Sequence, residues 1–277
     1  MPDRLVSCDW VAAHRTDPDV RLIEVDVDTE AYGEGHIEGA LAWSWTTQLQ
    51  DLHVRDVLGK ADFEALMSRS GIANDTRVVL YGDNNNWFAA YALWLLELYG
   101  HERCALMDGG RVKWLVDSRP TTAAVPVVTP TAYRAAEPAQ DIRARRDAVL
   151  AAVGGPTRLV DVRSPAEFAG SVIAPPGMGE TAQRGGHIPG AQSVPWARAV
   201  NEDGTFRPIE ELRTLYSAAG IDGDGETIVY CRIGERSSHT WFVLRHLLGY
   251  TNVRNYDGSW TEYGSLVGVP IELSEGS

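Results

Sequence analysis

The feature that most limits how this chain can fold is an internal repeat. The stretch 78–110 aligns without a gap on the stretch 227–259, and within it Tyr81 falls on Tyr230. Self-similarity over such a length is the mark of a structural unit that occurs more than once. The sequence therefore predicts two copies of one domain.

Further matches support the repeat upstream of that stretch. The motif "GHIEGA" from Gly35 matches "GHIPGA" from Gly186, and "LIEVD" from Leu22 matches "LVDVR" from Leu159. These matches follow the same order in both copies. The "LIEVD" match lies at a smaller offset because the second copy contains an extra loop at about 171–184.

Each copy alternates strand-like and helix-like segments. The runs "RVVLYG" and "ETIVYC" are short, apolar and rich in β-branched residues, which is typical of buried strands. The segments "ADFEALMSRSGI" and "IEELRTLYSAAGI" have helical spacing and finish near a glycine suited to a helix C-terminus. The alternation predicts the α/β class, with a mainly parallel sheet in each domain and helices on both faces.

A segment rich in Pro, Thr and Ala separates the two copies. It occupies 119–140, lacks helical periodicity and contains several X-Pro steps, which favour extended backbone. The predicted organisation is a first domain over 1–118, a linker over 119–140 and a second domain over 141–277.

Charge and composition exclude several classes of function. The net charge of −13 argues against nucleic-acid partners and against binding to an anionic membrane surface, because both need a cationic footprint. The longest apolar run, 87–96, is too short to cross a bilayer, and the N-terminus lacks the apolar core of a signal peptide. Three widely spaced cysteines suggest neither a disulfide framework nor a zinc site, and they fit a cytoplasmic protein.

Cys231 stands at the predicted junction between a strand and a helix. Ligands of open α/β sheets bind at the carboxyl ends of the strands. Gly234 permits a tight loop after Cys231, and Ser237 or Ser238 is expected to cap the following helix. Backbone N–H groups at such a helix start, together with Arg232 and Arg236, are expected to bind an anion and to lower the pKa of the thiol from about 8.5.

The first copy serves as an internal comparison for this loop. Where the second copy has Cys231, Arg232 and Arg236, the first has Gly82, Asp83 and Trp87. The first domain is therefore predicted to be catalytically inactive. Cys8 and Cys104, which no basic loop follows, are expected to be buried apolar side chains.

With these residues in view, the chain resembles the tandem-domain rhodaneses, which are thiosulfate sulfurtransferases. The resemblance covers nearly all of the chain and rests on "GHIEGA" and "GHIPGA", on "YCRIGERS", and on "LMDGGRVKW" and "NYDGSWTEY". It implies that Cys231 attacks the outer sulfur of thiosulfate, forms a persulfide and passes the sulfur to cyanide, a thiol or a protein acceptor. It implies no metal and no organic cofactor. The substrate-binding residues it implies are Arg232, Ile233, Gly234, Glu235, Arg236 and Ser237.

One position departs from the pattern of the resembling family. Vertebrate-type members have a substrate-binding arginine six residues after the aspartate of a D-x-R motif, and here that count leads from Asp161 to Glu167. A carboxylate is not expected to bind an anion, so the role is not transferred to Glu167. Asp161 is expected either to organise the loop or to pair with Arg163 or a backbone N–H.

Three other functions compete with thiosulfate sulfur transfer. Phosphatases on the same scaffold resemble this chain but need a Cys-x5-Arg loop, and here Arg236 comes one position too early. Mercaptopyruvate sulfurtransferases resemble it too, but usually have a small neutral loop after the cysteine. The third alternative is a non-catalytic sulfur carrier, against which the basic loop argues.

Several other residues have both a structural and a functional interpretation. His36 and His187 lie in the matched "GHI" motifs, and their presence in both copies favours a structural hydrogen bond. His239 is expected to lie in the first turn of the helix after the loop, where it either influences Cys231 or packs. Trp260 is expected either to line the pocket or to pack. Glu235 is unexpected in an anion site, and it pairs with a neighbouring arginine or faces solvent.

Overall fold

The computed structural model describes residues 4–174 and 182–274 and divides them into two compact units. The first unit comprises the described residues up to Ala139 together with Asn201–Phe206, and the second comprises the described residues of Gln140–Val200 and those from Arg207 onward. Asn201–Phe206 thus groups with the first unit, although the sequence placed it in the second domain. Within the first unit, the Phe206 N–H donates to Asp108 Oδ1 at 2.9 Å.

The first unit is built on a parallel sheet of five strands. In chain order the strands of this unit are β1 (Leu5–Val6), β2 (Val20–Asp26), β3 (Leu41–Ser44), the short antiparallel pair β4 (Gln50–Asp51) and β5 (Asp56–Val57), β6 (Arg77–Tyr81) and β7 (Cys104–Met107). The order across the five-stranded sheet is β1-β7-β6-β2-β3. The helices are α1 (Cys8–His14), α2 (Glu30–Glu34), α3 (Trp45–Gln48), α4 (Lys60–Arg69), α5 (Trp87–Leu98) and α6 (Gly110–Val116).

The second unit repeats this plan with four strands. They are β8 (Arg158–Asp161), β9 (Gln192–Ser193), β10 (Thr227–Tyr230) and β11 (Val253–Tyr256), in the order β11-β10-β8-β9, and all pairs are parallel. The helices are α7 (Arg146–Ala152), α8 (Pro165–Ala169), α9 (Ile209–Ser217), α10 (Glu235–Phe242) and α11 (Ser259–Tyr263). A π-helical turn, Val243–Leu247, follows α10. The predicted α/β class with parallel sheets is confirmed.

Both faces of the first sheet are covered. Side chains of a strand alternate between the two faces. Val79 and Tyr81 of β6 pack in one apolar cluster with Val11 and Trp114, and Leu80, which points to the opposite face, is also fully buried. Burial on both faces explains why the strand reads as a continuous apolar run.

Strand register positions the candidate site in the second unit. Tyr230, the last residue of β10, pairs with Asp161 of β8 on one side and with Tyr256 of β11 on the other. The three strands therefore end at the same level, and the segments that follow them meet at one edge of the sheet. Cys231 is the first residue after β10.

The matched histidines have the same structural task in both units. His36 Nδ1 lies 2.9 Å from the Tyr32 carbonyl and its ring stacks on Tyr32, with ring centres 3.6 Å apart. His187 Nδ1 lies 2.8 Å from the Phe168 carbonyl and its ring stacks on Phe168 at 3.6 Å. The structural interpretation of the "GHI" motif is confirmed.

The segment 119–140 contains no helix or strand of its own. Its backbone bonds to the first unit, for example from Thr131 N to Ser68 O at 2.9 Å and from Ala139 N to Leu98 O at 2.8 Å. These bonds satisfy backbone groups that an extended chain leaves unpaired.

Among the helices of the described residues, none has both the length and the apolar character that crossing a membrane requires.

Candidate active site around Cys231

The loop after β10 is short, and α10 begins at Glu235. The helix is capped by Gly234, so the prediction that Ser237 or Ser238 is the cap was wrong. Both serines instead lie in the first turn, where their hydroxyls donate to the Gly234 carbonyl at 3.1 and 2.7 Å. The sequence predicted the junction correctly but placed the helix start a few residues late.

Gly234 is required by the backbone as well as by the space around it. Its φ of +103° lies in the region that side chains with a Cβ rarely adopt. A Cβ at this position would lie 2.9 Å from the Asp257 Cα. Arg143 fixes Asp257 by a two-pronged ion pair, with Nε–Oδ1 and Nη2–Oδ2 distances of 2.8 and 2.7 Å. The loop at Gly234 therefore packs closely against Asp257, whose position is fixed by Arg143.

The Cys231 sulfur is enclosed by hydrogen-bonding groups. Gly234 N–H donates to Sγ at 3.1 Å, and Sγ–H donates to Glu235 Oε2 at 3.3 Å. Ser259 Oγ accepts from the Cys231 N–H at 3.0 Å and lies 4.0 Å from Sγ. The side chain is fully buried.

The electrostatic environment of Cys231 also differs from the prediction. Burial raises the pKa of the Cys231 thiol, and the negative charge of Glu235 raises it further. The charge of Arg236 and the hydrogen bonds from Ser237 act in the opposite direction but do not prevail. The loop therefore holds a protonated thiol at rest, chiefly because the sulfur is buried and also because the Glu235 carboxylate lies beside it.

Arg236 directs its guanidinium at Glu167. The two side chains form a bidentate pair with Nη1–Oε2 and Nη2–Oε1 distances of 3.0 Å, and both are buried. Burial alone would raise the pKa of Glu167, but the hydrogen bonds and charge of Arg236 bring it below its ordinary value. The Arg236 Nε lies 3.6 Å from Glu235 Oε1. Glu167, set aside in the sequence analysis, is thus part of the site.

The other loop residues are held close to Cys231. Arg232 and Ile233 are 4% and 5% exposed. The Arg232 carbonyl accepts from the Thr261 N–H at 3.0 Å and from its hydroxyl at 2.7 Å. All six predicted substrate-binding residues, 232–237, therefore lie in one buried loop and first helical turn. Their contact with a substrate stays a prediction.

The sequence of the chain matches a known family twice. The Rhodanese-like domain family matches residues 7–117 and again residues 145–266. The chain belongs to the rhodanese family. The resemblance on which the sequence analysis relied is thereby confirmed, and so is a fold of two rhodanese domains.

Curated relatives extend over almost the whole of this rhodanese. It is 58% identical over 275 residues to the "Putative thiosulfate sulfurtransferase" of Haloferax volcanii, an alignment covering 98% of this chain and 96% of the relative. It is 53% identical over 279 residues to the "Sulfur carrier protein TtuD" of Thermus thermophilus, covering 99% and 98%. The relatives support a sulfurtransferase of the rhodanese family.

Solved structures resemble this rhodanese in fold. The 3-mercaptopyruvate sulfurtransferase SseA of Escherichia coli superposes with a TM-score of 0.80 at 26% identity, covering 93% of this chain and 99% of SseA. The structure of YnjE has a TM-score of 0.87 at 24% identity, covering 99% of this chain and 69% of YnjE, and shows the fold alone.

The equivalent loop of the first rhodanese domain has no room for a nucleophile. A Cβ at Gly82, the position that matches Cys231, would lie 2.2 Å from the Val25 carbonyl oxygen and 2.6 Å from Asp26 Oδ1. Asp26 Oδ1 accepts the Asp83 N–H at 2.6 Å. Burial raises the pKa of Asp26 to about 9, and Asp83 adds to the rise. The loop that would hold an anion is therefore occupied by acidic groups.

Each rhodanese domain buries a carboxylate at a matched strand position, Glu24 in β2 and Asp161 in β8, but the partner arginine comes from a different part of each domain. In the second unit Asp161 pairs with Arg163 at 2.6 Å, and the Arg163 guanidinium lies over the Trp260 ring at 4.5 Å. In the first unit Glu24 pairs at 2.8 Å with Arg111, which stands at the position that matches Trp260. The Asp161–Arg163 alternative was correct, and Trp260 packs.

Two further residues of the site were missed or left undecided. Ser259 has a φ of +52°, and its counterpart Gly110 has a φ of +53°. The glycine at the matched position of the first copy was therefore a signal in the sequence that the backbone at Ser259 is unusual. His239 is buried, its ring meets Trp196 edge to face at 5.7 Å, and burial lowers its pKa to about 3. His239 is therefore neutral at physiological pH.

In the described part of the chain no cluster of three or more His, Cys, Asp or Glu side chains could hold a metal.

Proposed function

We propose that this rhodanese transfers sulfane sulfur from thiosulfate to cyanide or a thiol acceptor through a persulfide on Cys231. The observation that carries the proposal is the contact of Cys231 Sγ with the Gly234 N–H at the start of α10. An N–H group and a helix N-terminus stabilise negative charge on sulfur during transfer. The name of the Haloferax volcanii relative supports thiosulfate as the donor.

The reaction proceeds by two displacements at sulfur. The Cys231 sulfur attacks the outer sulfur of thiosulfate, an S–S bond to Cys231 forms, and the bond to the sulfonate group breaks with its electron pair leaving on sulfite. The acceptor then attacks the outer persulfide sulfur, and Cys231 leaves with the electron pair. No electron is gained or lost overall, so the cycle needs no external oxidant or reductant.

The loop residues have distinct proposed tasks. Backbone N–H groups around Gly234 hold the transferred sulfur, and Arg232 contacts the sulfonate oxygens, for which a guanidinium is well suited. Arg236 contributes positive charge near Cys231, but its two Nη donors already serve Glu167. The first domain is proposed to be inactive because the Gly82 position has no space for a cysteine side chain.

The decisive experiment is intact-mass measurement after brief treatment with thiosulfate. Wild-type protein is expected to gain one sulfur atom on the peptide that contains Cys231 and to lose it on addition of cyanide, with release of thiocyanate. Cys231→Ser is the matched control and should gain none. Failure of the wild type to gain sulfur, or an equal gain in the control, would overturn the proposal.

The Glu167–Arg236 pair favours a second candidate for the sulfur donor. With Glu167 and Glu235 balancing Arg236 and Arg232, the formal charge of the loop is close to zero, which suits a monoanionic donor better than the thiosulfate dianion. The structural likeness to SseA points to 3-mercaptopyruvate. The values of kcat/KM for the two donors decide between them. If the value for mercaptopyruvate exceeds that for thiosulfate by more than about tenfold, mercaptopyruvate replaces thiosulfate as the proposed donor.

The acceptor in the cell is proposed to include a protein. The 53% identical Thermus thermophilus relative is named a sulfur carrier, and a persulfide that stays on Cys231 serves carriage as well as catalysis. The cytoplasmic location stays a prediction from the free cysteines.

A further inference from the structure

A buried carboxylate lies beside the proposed nucleophile. Glu235 is 1% exposed, Cys231 is 0% exposed, and Cys231 Sγ–H donates to Glu235 Oε2 at 3.3 Å. The other oxygen, Oε1, faces the Arg236 Nε at 3.6 Å. The two side chains are therefore held in a fixed relation at the first turn of α10.

This carboxylate conflicts with a loop that only binds anions. A negative charge in contact with the sulfur opposes formation of the thiolate and repels an anionic donor. Desolvating a carboxylate is also costly unless it is paired. A loop that merely cradles a sulfonate would be better served by a neutral residue at this position, so the carboxylate calls for a role that needs a proton acceptor.

We propose that Glu235 is a catalytic acid–base residue that accepts the Cys231 proton when the sulfur attacks and returns it when the sulfur is released. The proposal rests on the proposed function and adds a proton acceptor to it. Glu235 was predicted from the sequence to contact the substrate. The hydrogen bond to Sγ gives it a different partner, the reacting sulfur itself.

The proton balance closes over the two half-reactions. In the first, the S–H proton moves to Glu235 Oε2 while the sulfur attacks, and Glu235 then protonates the departing sulfite to bisulfite, leaving an anionic persulfide. In the second, Glu235 takes the proton of an acceptor thiol and gives it to the Cys231 sulfur as the acceptor removes the outer sulfur. With hydrogen cyanide as acceptor, Glu235 takes its proton and gives it to the Cys231 sulfur as the cyanide carbon removes the outer sulfur.

The neighbouring groups are poorly suited to this task. Arg236 and Arg232 are cations without a free electron pair for a proton. Glu167 is committed to Arg236, and Asp257 to Arg143. The charged groups that surround Glu235 and Cys231 are thus Arg232 and Arg236 of the loop, Glu167 of α8, and the Asp257–Arg143 pair against Gly234.

Two hydroxyls and one imidazole also lie near the loop. Ser259 Oγ is 4.0 Å from Sγ and donates to the Tyr256 carbonyl at 2.7 Å. The Ser237 hydroxyl donates to the Gly234 carbonyl at 3.1 Å. A hydroxyl is a weak proton acceptor at neutral pH, and the His239 ring packs against Trp196. Of the described residues, Glu235 supplies the carboxylate in hydrogen-bond contact with Sγ.

The test compares two reactions of Cys231 in the wild type and in Glu235→Gln. Alkylation by iodoacetamide needs the thiolate but no proton for the leaving iodide, whereas transfer from thiosulfate delivers a proton to sulfite. Removing the carboxylate charge should move the midpoint of the alkylation pH profile to lower pH. The single-turnover rate of persulfide formation at pH 7 should nevertheless fall by about 10²-fold, the lower end of the usual acid–base contribution.

The opposite result would overturn the proposal. In that result, Glu235→Gln forms persulfide as fast as the wild type, or faster by the same factor as its larger fraction of Cys231 thiolate. In either case the carboxylate does no more than suppress ionisation of the Cys231 thiol, and the proposal fails. An unchanged alkylation midpoint would equally reject the proton-holding contact. Glu235→Asp, which keeps the carboxylate with a shorter reach, should recover part of the rate, and no recovery would count against the proposal.

Controls separate this proposal from folding defects and from an incorrect donor. Glu210→Gln removes an exposed carboxylate from the first turn of α9 and should change neither reaction. Far-ultraviolet circular dichroism verifies that the variants fold. If Glu235→Gln does not fold, the test uses Glu235→Asp alone, which must form persulfide more slowly than the wild type while Cys231 is alkylated at the wild-type rate. If the wild type gains no sulfur from thiosulfate, the donor is wrong, and the alkylation midpoints still decide whether Glu235 holds the proton.

Discussion

Glu167 and Arg236 form a buried bidentate ion pair that links α8 to the first turn of α10. Both Nη–Oε distances are 3.0 Å, and Glu167 also accepts hydrogen bonds from the Ser164 N–H and hydroxyl at 3.0 and 2.9 Å. The carboxylate thus caps its own helix and fixes the arginine of the loop. This pair makes the loop a structural junction as well as a candidate substrate site.

The first prediction concerns stability. Arg236→Ala leaves Glu167 buried without its main partner, and breaking one side of a buried pair typically costs about 3–5 kcal/mol of unfolding free energy. Urea unfolding followed by circular dichroism should show the loss, and Arg213→Ala, at an exposed arginine of α9, should stay within about 0.5 kcal/mol of wild type.

A second prediction concerns the nucleophile. Cys231→Ser should reduce thiosulfate-dependent thiocyanate formation below detection, since a hydroxyl is a far weaker nucleophile than a thiolate at neutral pH. Cys104→Ser should retain wild-type turnover, because Cys104 belongs to the sheet of the first unit. Turnover by the Cys231 variant within tenfold of wild type would place the chemistry elsewhere.

The third prediction uses two glycines with positive φ. Gly234 and Gly249 have φ values of +103° and +77°, but only at Gly234 would a Cβ meet another atom within 4 Å. Replacement by alanine should cost each site about 1–2 kcal/mol of backbone strain. Gly234→Ala should in addition displace the loop from Asp257 and lower kcat at least tenfold, whereas Gly249→Ala should keep its kcat. Equal activity of the two variants would show that the loop tolerates displacement.

A fourth prediction concerns acid stability. Burial lowers the pKa of His101 to about 4 and that of His239 to about 3, whereas an unfolded chain binds the proton near pH 6.5. Below about pH 6.5 the unfolded state therefore holds more protons than the native state, and the free energy of unfolding falls as the pH drops towards these values. Above pH 6.5 the two histidines should add no pH dependence.

Urea unfolding at intervals between pH 8 and pH 4.5 checks this prediction. His239→Gln should be less pH-dependent than the wild type in that range, because one proton-binding difference has been removed. A slope identical to that of the wild type would show that His239 is protonated in the folded protein. His53→Gln, at an exposed loop position, is the matched control and should leave the slope unchanged.

The local pattern of the chain was sufficient to predict the repeat, the parallel strands and Cys231 at the end of β10. Strand formation and the turn at Gly234 depend on neighbours in sequence, which a single chain displays directly. The comparison of Gly82 with Cys231 needed only the alignment of the two copies. The Asp161–Arg163 pair was one of the alternatives the sequence offered, because the partners are two residues apart, and the structure decided it.

The charge state of Cys231 could be decided only by the tertiary structure. The sequence displays two arginines beside the cysteine, and from that alone a lowered pKa follows. Folding brings Glu167 of α8 onto Arg236 from 69 positions away, and it buries Glu235 against Sγ. Electrostatic free energies depend on distance and solvent exposure, neither of which can be obtained from residue order, so the sequence determined which groups the site contains and the fold decided how their charges balance.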